Sequence, residues 1–204
     1  MIDIIRKELN ENLAVLKAVL ADGAIHDTLA AAAQRTAAAL KAGRKLLVAG
    51  NGGSAADAQH LVSEFVCRMV DDRPAMRAVA LTTDSSILTA ASNDYGYERV
   101  FARQIEALGQ QGDVFLGIST SGNSPNILRA LELSRKLGLI TIGFTGQSGG
   151  GMPSHCDYCL RIPSRVTMHI QEAHLALEHI FCLLVEEGYF RPVRGASGSA
   201  VATA

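Results

Sequence analysis

The sequence predicts an α/β fold built on a mostly parallel sheet. From residue 45 onward, short apolar runs alternate with helical stretches, and the connections between them are short. Three of those runs, at 78–81, 114–118 and 140–144, are nearly continuous apolar stretches, the pattern of strands covered on both faces.

Each element has a local reason. Leu9, Leu13, Leu16 and Leu20 recur at helical spacing. Asp22-Gly23 interrupts that helix, an Ala-rich helix follows at 29–40, and Gly43 closes it as a C-cap. A strand is expected at 45–49 and a helix at 54–69. The strand at 78–81 leads into helical material at 85–108. The strand at 114–118 is followed by a helix at 124–137, with Ser124 as N-cap and Pro125 at its first position. After the strand at 140–144 come a Gly-rich loop, a strand at 158–162 and a last helix at 167–187. Residues 1–190 therefore read as one domain with a helical extension at 1–42. Residues 191–204, mostly Gly, Ala, Ser and Val without periodicity, read as a flexible tail.

Composition narrows the function classes. The 204 residues carry 19 Lys plus Arg against 20 Asp plus Glu, so no basic surplus points to nucleic acid. No apolar stretch approaches the ~20 residues of a membrane span. The opening MIDIIRKELN has charges inside its apolar stretch and does not read as a signal peptide. The four cysteines are then expected as reduced thiols in a cytoplasmic protein. Cys156 and Cys159 have CxxC spacing but no second pair, and read as small hydrophobes at a strand edge.

Two loops stand at the carboxyl ends of expected strands, where ligands collect in a parallel sheet. The first is Gly50-Asn51-Gly52-Gly53-Ser54. Its glycines allow a close backbone approach to a ligand; the alternative is a tight turn with Ser54 as N-cap. Gly50, Gly52 and Ala55 also fit a dinucleotide fingerprint loosely, but Asp71 and Asp72 precede the next strand instead of ending it. The second loop is Ser119-Thr120-Ser121-Gly122-Asn123-Ser124. Its hydroxyls and the helix N-terminus behind it suit an anion such as phosphate. On the helices, His60 and Glu64 are four apart and share one face. The last helix carries Gln171, Glu172, His174, Glu178 and His179. Spacing alone favours His174 with Glu178 as a pair. Gln171 and His179 lie about 80° apart around the helix. A solvated helix face is the other reading.

Four segments together resemble a known family: AGNGGSAADAQHLVSEF (49–65), LTTDSSILTAASNDYGYE (81–98), STSGNSPNIL (119–128) and IQEAHLALEHIFCLLVE (170–186). They are similar, in order, to the phosphoheptose isomerases of the sugar-isomerase (SIS) superfamily. The resemblance covers nearly all of residues 1–190. It implies a three-layer, Rossmann-like SIS fold with the N-terminal helices packing between subunits of a homotetramer. It implies sites at subunit interfaces and a small sugar phosphate as the molecule bound. Substrate contacts would fall on Asn51, Gly52, Gly53, Glu64, Asn93, Asp94 and Gln171, and phosphate contacts on Ser119, Thr120, Ser121 and Ser124. One Zn2+ per subunit would be held by His60, Glu64, Gln171 and His179, with Glu64 and His179 as catalytic residues. The resemblance thus selects Gln171 and His179 over the pair favoured by spacing. Some members carry Asp three residues before the Gln; this chain has Met168, and His169 beside it is left without a role.

The reaction implied is aldose–ketose isomerisation of sedoheptulose 7-phosphate through an enediolate, opening the synthesis of nucleotide-activated heptose. The alternatives are a non-catalytic sugar-phosphate-binding relative, of the kind that partners a replication initiator, and an isomerase of another sugar phosphate.

Overall fold

A computed structural model describes residues 1–70 and 72–190; the tail expected at 191–204 lies outside the described residues. The chain begins with α1 (Ile2–Ala21) and α2 (Gly23–Lys41). The Asp22 carboxylate accepts from the N–H groups of Ala24 and Ile25, so the expected break is an N-cap. At the far end of α2, Gly43 has φ +78°. Its N–H donates to Leu40 and that of Arg44 to Ala39, a Schellman closure of the helix.

The rest alternates as expected: β1 (Leu46–Ala49), α3 (Gly53–Val66), β2 (Ala78–Ala80), α4 (Ser85–Tyr95), α5 (Val100–Leu108), β3 (Val114–Ser119), α6 (Pro125–Lys136), β4 (Ile140–Thr145), β5 (Tyr158–Arg161) and α7 (Thr167–Phe190). The five strands are all parallel, in the order β2-β1-β3-β4-β5. α1, α2, α3 and α7 cover one face, through a core that includes Leu46, Val48, Phe65, Leu116, Phe144 and Phe181. α4, α5 and α6 cover the other through Leu47, Phe101, Ile105, Phe115, Ile127 and Leu131. Strand residues alternate between the two cores because successive side chains point to opposite faces.

Four local expectations need correction. β2 is not buried on both faces: it is an edge strand, paired only with β1, and Val79 is 39% exposed. The helical material at 85–108 is two helices, because Gly96 (φ +82°) turns the chain out of α4 before a short 3-10 turn at Tyr97–Arg99. α3 stops at Val66 and does not run to 69. The N-cap of α3 is Gly52, not Ser54, which is already helical and buried.

The lower end of the sheet is tied by two aspartates. Buried Asp113 accepts from the backbone N–H groups of Lys45 and Gln110 and from Lys45 Nζ (2.6 Å). Asp157 accepts from the N–H and hydroxyl of Thr141. The upper end is left to loops. Among the described residues, no helix is long and apolar enough to cross a membrane.

Candidate active site

The strand order reverses between β1 and β3, which leave in opposite directions across the sheet; the crevice above that switch point is where an open parallel sheet binds ligands. Both loops singled out from the sequence rise from it.

The loop after β1 is shaped by glycine. Gly52 sits at φ +56°, ψ −122°, a backbone conformation that side chains rarely adopt. A Cβ at position 53 would collide with the Gln171 amide, so this loop and α7 meet in direct contact. Asn51 exchanges two hydrogen bonds with Asn126 on α6 (2.9 and 2.8 Å) and accepts a third from the Tyr97 hydroxyl (3.1 Å). The first loop is thereby locked to the helix that the second loop starts.

In the second loop, Ser119 Oγ lies 2.9 Å from Ser124 Oγ and 3.4 Å from Ser121 Oγ. Ser124 does occupy the N-cap position, with Pro125 first in α6, but its hydroxyl makes no cap hydrogen bond. It turns into the hydroxyl cluster instead. The Thr120 carbonyl accepts from Gly146 N–H and the Gly122 carbonyl from Gly151 N–H (3.0 and 2.9 Å). The Gly-rich loop after β4 therefore braces the cluster from behind. Converging hydroxyls at a helix N-terminus form a cradle for a dianion.

α3 and α7 lie side by side and bring three of the four proposed ligands together. His60 Nε2 and His179 Nε2 are 2.8 Å apart, and Glu64 Oε1 is 3.7 Å from His60 Nε2. Three donor atoms from these residues lie within 4.8 Å of one another. Two imidazole nitrogens and a carboxylate facing one point are donors suited to zinc. Gln171 stands two helical turns before His179, against Gly53, where α3 begins. His60 is half-exposed and Glu64 and His179 are partly buried, so the group opens to solvent.

The spacing-favoured pair lies elsewhere. His174 and Glu178 are fully buried, so that side of α7 is not a solvated face. His174 Nε2 bonds the Thr145 carbonyl, and burial pushes its imidazole down to about 4. Burial, and then the nearby Asp57, push the Glu178 carboxyl up to about 8. Asp57 is itself raised by burial. It lies on α3 one turn before His60, and Glu178 directly precedes His179 on α7. Asn93 and Asp94 hydrogen-bond to one another (2.8 Å) on the exposed side of α4. No hydrogen bond or ion pair among the described residues joins them to the other site residues.

Sequence reasoning passed over the residue that holds the two helices together. Arg73, nearly buried, pairs with Glu186 of α7 (2.6 Å) and donates to the carbonyls of Glu64 and Phe65 at the end of α3. Phe65 packs on Phe181 just inside it (6.2 Å between centroids). Nothing in the spacing marks Arg73; only the fold brings it to Glu186. Asn126 and Tyr97 were visible within the matched segments, but their hydrogen bonds to Asn51 were not. Cys156 and Cys159 are free thiols packed against the second core, in keeping with their reading as small hydrophobes.

Comparison with known proteins agrees across three levels. The sequence model of the SIS domain family matches residues 9–146. The chain is 50% identical to the phosphoheptose isomerase of Aneurinibacillus thermoaerophilus over 191 residues, covering 94% of this chain and 96% of that protein. It is 52% identical to phosphoheptose isomerase 2 of Campylobacter jejuni over 186 residues, covering 91% and 92%. Its fold is similar to the solved phosphoheptose isomerase of Neisseria gonorrhoeae, with a TM-score of 0.85 and 36% identity over 91% of this chain and 98% of that one. The Francisella tularensis structure gives a TM-score of 0.87 at 35% identity, with the same coverage.

Proposed function

The chain belongs to the SIS domain family and, within it, to the phosphoheptose isomerases, and we infer from that premise how its residues act. It is an isomerase of D-sedoheptulose 7-phosphate, yielding D-glycero-D-manno-heptose 7-phosphate in heptose biosynthesis. High identity over nearly the whole of each relative leaves a purely regulatory role without support.

The reaction moves a proton between C1 and C2 and passes through an enediolate. The carbon acid is weak, so a base and charge stabilisation must act together. The observation that carries the residue assignment is the convergence of His60, Glu64 and His179 on one point. These three, with Gln171 as the fourth ligand, would hold one zinc ion per chain. When bound, zinc supplies a Lewis acid that polarises the substrate carbonyl and favours negative charge on the C1 and C2 oxygens. Glu64 takes the carbon-bound proton and returns it to the neighbouring carbon. His179 handles the proton of the oxygens. Asn51, Gly52, Gly53, Asn93 and Asp94 are assigned to the sugar chain. Ser119, Thr120, Ser121 and Ser124 grip the phosphate, whose binding energy positions the distant reacting end.

The working form is proposed as a homotetramer with the sites at subunit interfaces. Support comes from α1, where Ile2, Ile5, Leu9, Leu13 and Leu20 form an exposed apolar stripe. The free thiols suit the reducing cytoplasm. The test of the base is Glu64→Gln. Turnover of sedoheptulose 7-phosphate should fall by about 10²- to 10⁴-fold, the range of general-base catalysis. Inorganic phosphate should still bind with near wild-type affinity. Turnover close to wild type would remove Glu64 from the role.

A further inference from the structure

A second group of ligand-type residues lies outside this site, between α1 and α7. We propose that His169, Glu8 and Glu11 form a site for a divalent transition metal, with Glu172 orienting the imidazole. His169 is 2% exposed, and its Nε2 has no hydrogen-bond partner. That nitrogen faces Glu8 Oε2 at 3.4 Å and Glu11 Oε2 at 3.5 Å, and the three donor atoms lie within 4.8 Å of one another.

The other ring nitrogen settles which form of the imidazole suits this place. Nδ1 lies 3.0 Å from Glu172 Oε2, an acceptor, so Nδ1 carries the proton. Nε2 then faces two carboxylates, an arrangement that calls for positive charge between them. At 3.4 and 3.5 Å both carboxylates stand outside the about 2.7–2.9 Å of a charge-assisted N–H···O bond. A metal ion is well placed. Tetrahedral bonds of about 2.0–2.2 Å to nitrogen and oxygen set neighbouring donors about 3.4 Å apart. A carboxylate on the remote nitrogen of a ligating histidine is the usual outer support of such a site. Lys7 Nζ approaches the other oxygen of each carboxylate, Glu8 Oε1 (3.4 Å) and Glu11 Oε1 (3.6 Å).

One nitrogen and two carboxylate oxygens, with solvent beside them, fit zinc or manganese better than calcium. Glu8 and Glu11 share the inward side of α1 with Val15 and Val19, so the apolar stripe stays free. The metal would fasten the N-terminal helix to α7, the helix that also carries Gln171 and His179.

The test counts zinc in the full chain. Protein stripped with chelator is dialysed against zinc, passed through a desalting column and assayed by mass spectrometry. Far-UV circular dichroism checks the fold. Wild type should retain one more zinc per chain than the double variant Glu8→Gln/Glu11→Gln, because both keep His60, Glu64 and His179. Glu172→Gln should retain the extra equivalent with affinity weakened about 10- to 100-fold. Equal zinc in folded wild type and double variant overturns the proposal and leaves only an ion pair around a protonated His169.

Discussion

Glu64 is assigned two duties that oppose one another. A carboxylate held by a metal is a weaker base, so ligation and proton transfer compete at this oxygen pair, and likewise at the His179 imidazole. The hydroxyl cradle has a single duty and a simpler expectation. Ser121→Ala removes one donor to a charged phosphate, worth about 1.5–3 kcal/mol. KM should rise on the order of 10- to 100-fold with little change in kcat; an unchanged KM in steady-state kinetics would count against the cradle. His174 gives a prediction about stability. Its folded-state pKa of about 4 lies below the ordinary 6.5. A depressed pKa means that the unfolded chain binds the proton first, so this contribution is complete above pH 6.5 and is lost as pH falls through 4. The shift corresponds to about 3 kcal/mol. Urea denaturation at pH 7, 5 and 4 should show a steeper acid loss in wild type than in His174→Gln, and parallel profiles would refute the assignment. His174 and Glu178 also mark where spacing misleads. Four apart on a helix, they share a face, but that face is turned into the core, and only packing decides which face of an apolar helix meets the site.

The decisive element pair is α3 with α7. His60 and Glu64 come from one helix and His179 from the other, so the site exists only while the two stay in register. Arg73 closes the end of α3 and pairs with Glu186, and breaking a buried pair by removing one partner costs about 3–5 kcal/mol. Arg73→Met should destabilise the chain by roughly that amount and lower turnover under conditions where it remains folded. Equilibrium denaturation and activity on one preparation check both, and wild-type values in both would show that α3 and α7 do not need the clamp. Phe181→Ala tests the same junction through packing, at about 3–5 kcal/mol, by the same denaturation measurement. Neither Arg73 nor Glu186 was legible in the sequence, because they are far apart in the chain and neither follows a periodic pattern. The elements themselves were legible. Apolar runs marked β1, β3, β4 and β5, and Gly43 and Pro125 marked helix ends where they occur. β2 read as a buried strand because its residues are apolar; edge position depends on topology, which a three-residue run does not reveal.

At the scale of the molecule, strand order turns separate sequence motifs into one crevice. β1 and β3 lie side by side at the switch point, so the glycine loop and the hydroxyl loop meet there, and Asn51 with Asn126 ties them together. Alternation of strand and helix made the parallel sheet legible. Resemblance to a family, not spacing, picked Gln171 and His179. The fold explains part of that choice: His179 meets His60, and Gln171 meets the start of α3. Lower ties at Asp113 and Asp157 leave the upper end free for chemistry. Isomerisation is expected to depend on a metal held by His60, Glu64, Gln171 and His179. Formation of D-glycero-D-manno-heptose 7-phosphate from sedoheptulose 7-phosphate should be measured with metal-stripped enzyme and again after zinc is restored. Activity should disappear on stripping and return with zinc in wild type but not in His179→Ala. Full activity in verified metal-free enzyme would contradict that dependence.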